Sequence, residues 1–317
     1  MRKSMAALLL GLNLSIASVG WAADPVSLAG DVSIKYEKDT AADSADISGA
    51  MYSFKLKGVT DIGGGWSLYA RIGAQYATQP SLSDYNLDLY GENKKSVVAL
   101  DQFGIGYKSE KLVYKLGRQD VAVGTTALLY SRPDSNIGKK NFADGLTVSG
   151  TIGTLEVAAV LAQEDNVGTQ DNKVYAIRTG YSPTERLNYG ITLGRYQDVV
   201  NESTNHWAVD GTYQLGANSL KTEFTKSSSS GDNKAYVASW NHSFSDKTAG
   251  YVTGFRVETN GDMGKQSDFD NDNRGVYYGI TYKLNDADGL EVVYKDQKII
   301  SSGENNTKLE ATFSHTF

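Results

Sequence analysis

The sequence predicts an all-β chain, a sixteen-stranded antiparallel transmembrane β-barrel. Three observations predict it. Apolar and polar residues alternate with period two in segments of about 9–11 residues, the length that crosses a bilayer as a tilted strand. The connections between these segments alternate between short and long. Aromatic residues collect at one end of the segments.

The first segment in the chain is not part of that barrel. Residues 1–25, MRKSMAALLLGLNLSIASVGWAADP, carry Arg2 and Lys3, then an apolar core over 6–17, then small residues at Gly20 and Ala22. This is the pattern of a secretory signal cleaved after Ala22. The competing reading, a membrane anchor, needs about 20 apolar residues, more than this core supplies. Loss of 1–22 removes two basic residues and no acid, taking the formal charge from -6 to -8. An acidic exported chain is a poor nucleic-acid ligand, because phosphate binding needs Lys and Arg. Cysteine is absent, which excludes disulfides and thiolate metal sites. The mean hydropathy of -0.38 suits a soluble protein, but a barrel that alternates lipid-facing and lumen-facing residues averages to the same value.

The remaining segments read as strands at 26–37, 50–60, 66–77, 97–107, 112–119, 145–153, 155–164, 173–181, 187–197, 205–213, 219–226, 234–244, 248–258, 274–284, 289–298 and 307–317. WSLYARIGAQY puts Trp66, Leu68, Ala70, Ile72, Ala74 and Tyr76 on one face and Ser67, Tyr69, Arg71, Gly73 and Gln75 on the other. VYYGITYKL repeats the pattern from Val276 to Leu284. Short links such as DIGGG (61–65), KSEK (108–111) and SDKT (245–248) alternate with long ones such as EDNVGTQDN (164–172) and ETNGDMGKQSDFDNDN (258–273). Short periplasmic turns and long external loops are the asymmetry of an outer-membrane barrel, and an even strand count leaves both ends at the short-turn rim. The four prolines, Pro25, Pro80, Pro133 and Pro183, fall in connections or before the first strand, where no ladder donor is needed.

Trp66, Tyr107, Tyr181, Tyr213, Phe244, Tyr282 and Phe317 form the expected short-turn girdle, and Tyr36, Tyr76, Trp207, Tyr236 and Phe255 the opposite one. A soluble β-sandwich would also alternate, but it needs neither uniformly long strands nor aromatics gathered at one end.

Residues 97–124, VVALDQFGIGYKSEKLVYKLGRQDVAVG, resemble the general diffusion porins of Gram-negative outer membranes. In that family a strand hairpin ends in a Gly-Arg-Gln/Asn motif and runs into the third external loop; here the motif is Gly117-Arg118-Gln119. The resemblance implies that residues 120–145 fold inward and narrow a water-filled channel for passive diffusion of small hydrophilic solutes. It further implies a homotrimer, a surround of outer-membrane lipid and lipopolysaccharide, and recognition of the last strand and its Phe317 by the barrel-assembly machinery. It implies no cofactor and no enzyme activity.

The loop offers Asp120, Asp134 and Asp144, but also Arg132, Lys139 and Lys140; parity puts Lys35, Lys55, Lys57, Arg71, Lys115, Arg178 and Arg256 on the lumen wall. Strict alternation aims Arg118 outward, and a bulge or turn at the strand end is expected to bring it to the lumen. Acidic loop groups facing a basic wall would set a transverse field at the narrowest point. Gly104, Gly106 and Gly117 fall inward, where a bare wall would either admit the loop or ease barrel curvature.

Other signals stay weak. His206, His242 and His315 lie far apart, and a rim enzyme would need a base with partners. Asp268, Asp270 and Asp272 begin like a calcium loop, but the twelfth position is Gly279, so a solvated acidic loop is the better reading. KSSSSGD is a loop tip. A channel selective for a sugar or an anion, and a non-channel barrel acting as an enzyme or an adhesin, are the alternative functions; inward Tyr69 and Tyr277 are the residues that would favour the first.

Overall fold

A computed structural model describes residues 25–41, 45–85, 94–165 and 170–317. The signal segment 1–22 lies outside the described residues. The strands run β1 (Ser27–Ala41), β2 (Ile47–Gly63), β3 (Trp66–Ala77), β4 (Ser96–Lys108), β5 (Leu112–Gln119), β6 (Val121–Val123), β7 (Tyr130–Arg132), β8 (Ala143–Ile152) and β9 (Leu155–Glu164). They continue as β10 (Lys173–Thr184), β11 (Leu187–Gln197), β12 (Thr204–Leu215), β13 (Asn218–Ser227), β14 (Lys234–Ser243), β15 (Thr248–Val257), β16 (Asn273–Lys283), β17 (Asp288–Ile299) and β18 (Asn305–Thr316). All but β6 and β7 form one closed antiparallel barrel of sixteen strands, each paired with its sequence neighbours. All sixteen stand where the alternation predicts them. Several extend further at the long-loop end, where the hairpins continue to zip beyond the lipid-length segment. Among the described residues, no helix is long and apolar enough to cross a membrane; this says nothing of crossing by strands.

Closure satisfies every edge. β18 pairs with β1 from Asp31↔Thr316 to Ala41↔Asn306, and Gly30 and Phe317 exchange two backbone hydrogen bonds of 3.0 Å. The Phe317 ring stacks on Phe54 at 6.3 Å. A sheet without an edge leaves no amide unpaired in an apolar solvent. Deleting Phe317 removes those two bonds, each worth about 1 kcal/mol net, and the ring that seats the seam. The expected result is a lower yield of closed barrel and a lower melting midpoint for what does close, read by the heat-dependent gel shift of the purified protein.

The outside is apolar. Leu100, Ile105, Leu161, Ile177, Ile191, Leu193, Val209, Ile280 and Val292 all point outward and are exposed. A belt of this extent is a liability in water and the expected surface in lipid. The short-turn girdle forms contacts around the rim, with Trp66 on Tyr107 at 4.6 Å and Tyr181 on Tyr189 at 5.9 Å. Phe255 departs from the expected opposite girdle. It is buried inside the barrel, for a reason that lies in the third loop.

Candidate pore constriction

The chain leaves β5 and turns into the lumen at Asp120. The short ribbon β6–β7 pairs Val121 with Arg132 and Val123 with Tyr130. One side of it rests on Val160, Ala162, Val174, Tyr196 and Ala208 of the inner wall; the loop contributes Val121, Val123, Leu129 and Tyr130. At its tip Leu128 turns the other way, onto Ala235, Val237, Phe255, Val257, Tyr277 and Val293. Leu128 and Leu129 are both fully buried. An apolar patch on the inner wall would face water unless something covered it. Here the loop does, at a gain of roughly 1.5–3 kcal/mol per buried large side chain.

Three polar anchors fix the loop. At its return, the Arg71 guanidinium on β3 is 1% exposed. It donates to both Asp101 carboxylate oxygens at 2.9 Å, to the Asp134 carbonyl at 2.7 Å and carboxylate at 3.0 Å, and to the Asn136 carbonyl at 2.8 Å. It also stacks over the Phe142 ring. Asp101 reaches it because β4 bulges opposite Arg71 and Ile72, so that Asp101 and Gln102 both point inward. Burial pushes the Asp134 carboxyl up, but Arg71, the Gln102 amide, Lys55 and Lys57 outweigh it and hold the group below its ordinary value. In the middle of the loop, Arg132 pairs with Glu164 at 3.0 Å, and Tyr130 and Tyr196 donate to the same carboxylate at 3.0 and 3.1 Å. At the tip, Thr125 bonds Asp210, while the amide and hydroxyl of Thr126 donate to Glu223 at 2.8 and 2.7 Å.

A second loop enters the lumen, which the acidic composition of 258–273 did not suggest. The Met263 amide donates to Leu129 at 2.8 Å, the Ser131 amide to Gln266 at 2.5 Å and the Asp268 amide to Ala127 at 3.2 Å. Met263 is buried in the loop cluster and Phe269 packs on Phe255 at 5.1 Å. Among the described residues no group of three or more His, Cys, Asp or Glu is placed to hold a metal ion.

Within this loop, burial pushes the Asp262 carboxyl up to about 7, only partly offset by hydrogen bonds from Asn271 and Ser267 and by Lys265. A carboxyl raised in the fold favours the protonated form, so its stabilisation is complete below about pH 4 and is lost as pH rises through 7. Raising the pH from 5 to 8 is expected to loosen this loop, seen as lower amide protection factors over 259–272 once the intrinsic rise of exchange with pH is divided out. Asp262→Asn should flatten that dependence.

The other wall residues are placed as follows. Lys35, Lys55, Lys57, Lys115 and Arg178 face the lumen as parity predicts, and most are locally paired. Lys35 meets Asp84 at 2.9 Å, Lys55 meets Asp31 at 3.2 Å, Lys115 meets Asp120 at 3.1 Å and Arg178 meets Asp210 at 2.5 Å. The wall is thus a set of interleaved pairs rather than one basic face opposite one acidic loop. Lys139 is exposed on the loop.

Several placements correct the sequence reading. Arg118 stays outward, in line with exposed Phe103 on one side and Asp144 on the other. No bulge re-aims it. Asp144 at 2.9 and 2.5 Å and Asp165 at 3.1 Å neutralise it at the rim instead. Asp144 is therefore on the outer face, not in the constriction, and the Lys140 ammonium turns toward the same cluster, 3.8 Å from Asp165. Arg256 also faces out, beside Tyr236 and 3.2 Å from Glu258, because β15 turns Tyr251, Thr253, Phe255 and Val257 inward. Gly104 and Gly106 make room for the side chains of Tyr69 and Ser67 rather than for the loop, and Gly117 packs against the β4 backbone.

Sequence reasoning missed Asp84, Asp101, Glu164, Asp210 and Glu223. Acids on the inward parity of otherwise apolar strand ends, as in VAAVLAQE (157–164), were the available signal.

No family model matches the sequence, and no curated protein matches it. Solved structures do match the fold. Salmonella typhi OmpF in complex with daunomycin is 13% identical, covering 92% of this chain and 97% of that chain with a TM-score of 0.62. A mutant of the Rhodopseudomonas blastica porin is 12% identical over 92% and 100%, TM-score 0.61. A loop-deletion mutant of OmpT, an outer membrane protein of Vibrio cholerae, is 12% identical over 92% and 100%, TM-score 0.60. The chain has the sixteen-stranded porin fold.

Proposed function

We propose that this chain, after loss of residues 1–22, is an outer-membrane channel of a Gram-negative bacterium that passes small hydrophilic solutes and ions by diffusion. One observation carries the reading: a closed sixteen-stranded barrel with an apolar outside holds a loop on an apolar seat inside its own lumen. A barrel of this size is too wide for side chains to fill. A loop anchored across it leaves a narrowed aqueous path, here a cavity of about 670 Å³ between the loop tip and β13–β18. Nothing in that arrangement requires chemistry or an energy source. The porin likeness of the fold supports assembly as a homotrimer surrounded by lipopolysaccharide, with the β18 end read by the barrel-assembly machinery.

Ion preference follows from the inward charges. On the cavity lining, Asp268, Glu291 and Glu310 stand against Lys221 and Lys295. An acidic excess in a narrow path favours cations. In a planar bilayer the protein is expected to give large, ohmic steps whose reversal potential in a salt gradient favours potassium over chloride. Absence of conductance would sink the channel reading, and a chloride preference would sink the charge assignment.

A further inference from the structure

We infer that the inner wall carries a stacking site for one face of a pyranose ring, centred on Tyr251; this rests on the channel reading above. Tyr251 on β15 sits directly across from Gly279 on β16. A Cβ at position 279 would overlap Cζ and Cε1 of the Tyr251 ring, so the ring packs on the wall where only glycine leaves room. Its hydroxyl donates to Glu291 at 3.1 Å, which holds it there. The ring packs in part against the Leu128, Phe255, Tyr277 and Val293 cluster, and its exposed part lines the cavity below the third-loop tip.

The groups around that exposed part match a neutral polyol. The Ser239 and Thr253 hydroxyls bond each other at 2.8 Å, and the Asn241 amide stands beside them. The Lys295–Glu310 pair at 2.6 Å closes one side and Lys221 another. Each sugar hydroxyl both donates and accepts, and this rim offers both, while the apolar C–H face of a pyranose covers the ring. An aromatic solute of the same size would cover the ring but leave the rim groups without partners, which costs binding. Glu291, Glu310 and Asp268 against Lys221 and Lys295 leave an anionic solute no advantage. The cavity volume lies in the ordinary range for small-molecule sites.

The test is single-channel recording of the intact barrel in potassium chloride with a linear glucose trisaccharide added. Brief, saturable interruptions of the current are expected in the wild type. Tyr251→Ala should weaken them about tenfold, the loss of one stacked aromatic contact, while the sugar-free conductance persists. Tyr251→Phe keeps the ring and should keep most of the effect. Equal interruption in wild type and Tyr251→Ala would overturn the site. So would conduction of ions with no interruption by the sugar, or interruption by free tryptophan at a concentration where the sugar has none. Failure to conduct ions at all would instead overturn the channel reading beneath it.

Discussion

Arg71→Ala widens and unsettles the pore and destabilises the barrel at once. The guanidinium satisfies a carboxylate, Asp101, that is fully buried on the β4 bulge, and it also holds the Asp134 and Asn136 carbonyls of the loop. Removing it leaves an unpaired buried charge, a loss of about 3–5 kcal/mol in comparable cases. It also frees the loop's return segment from β3. The expected readings are a lower thermal midpoint, a larger unitary conductance and a noisier open state. The double variant Arg71→Met with Asp101→Leu separates the two consequences. Stability should largely return, because no charge is left stranded, while the conductance stays raised, because the loop carbonyls still lack their donor. If the double variant restores both, Arg71 does not anchor the loop.

Leu129→Asp acts on the loop and spares the wall. The side chain is fully buried between the ribbon and Val160, Ala162, Val174 and Ala208. Truncation to alanine at such a site costs about 2–5 kcal/mol, and a charge there costs more unless the loop leaves its seat. The barrel ladder needs nothing from the loop, since the sixteen strands close among themselves. The expected result is an unchanged heat-dependent gel shift with a raised size limit, measured by liposome swelling with sugars of increasing length. A lost gel shift with an unchanged size limit would place Leu129 in barrel assembly rather than in the constriction.

Both effects concern residues that lie far apart in the chain, and the division between what could and could not be read from the sequence follows that line. Strand number, order and approximate ends were legible because lipid is a uniform solvent. Each strand must present an apolar face to it, and period two records that locally, with no knowledge of any partner. The pairing of the last strand with the first follows from closure of the barrel alone. The inward loop was legible only through its resemblance and its length.

Parity placed Lys35, Lys55, Lys57, Arg71, Lys115 and Arg178 on the lumen side, but not the partners that hold them there. Phe255 and Arg256 differ only by which face is inside, and both faces of β15 carry apolar residues; the seat for Leu128 decides the phase. Arg118 kept the parity of its strand because Asp144 on β8 and Asp165, just past the end of β9, neutralise it where it stands. Asp101 became a partner of Arg71 through one extra residue in β4, a bulge that alternation cannot forecast. The 258–273 loop looked like a solvated acidic tip until Met263 and Phe269 were found under the third loop. The sequence by itself thus determined the surface that meets lipid, where one face and one solvent suffice. Only the tertiary structure decided the surface that meets water, because there each side chain answers to a particular partner brought from elsewhere in the chain.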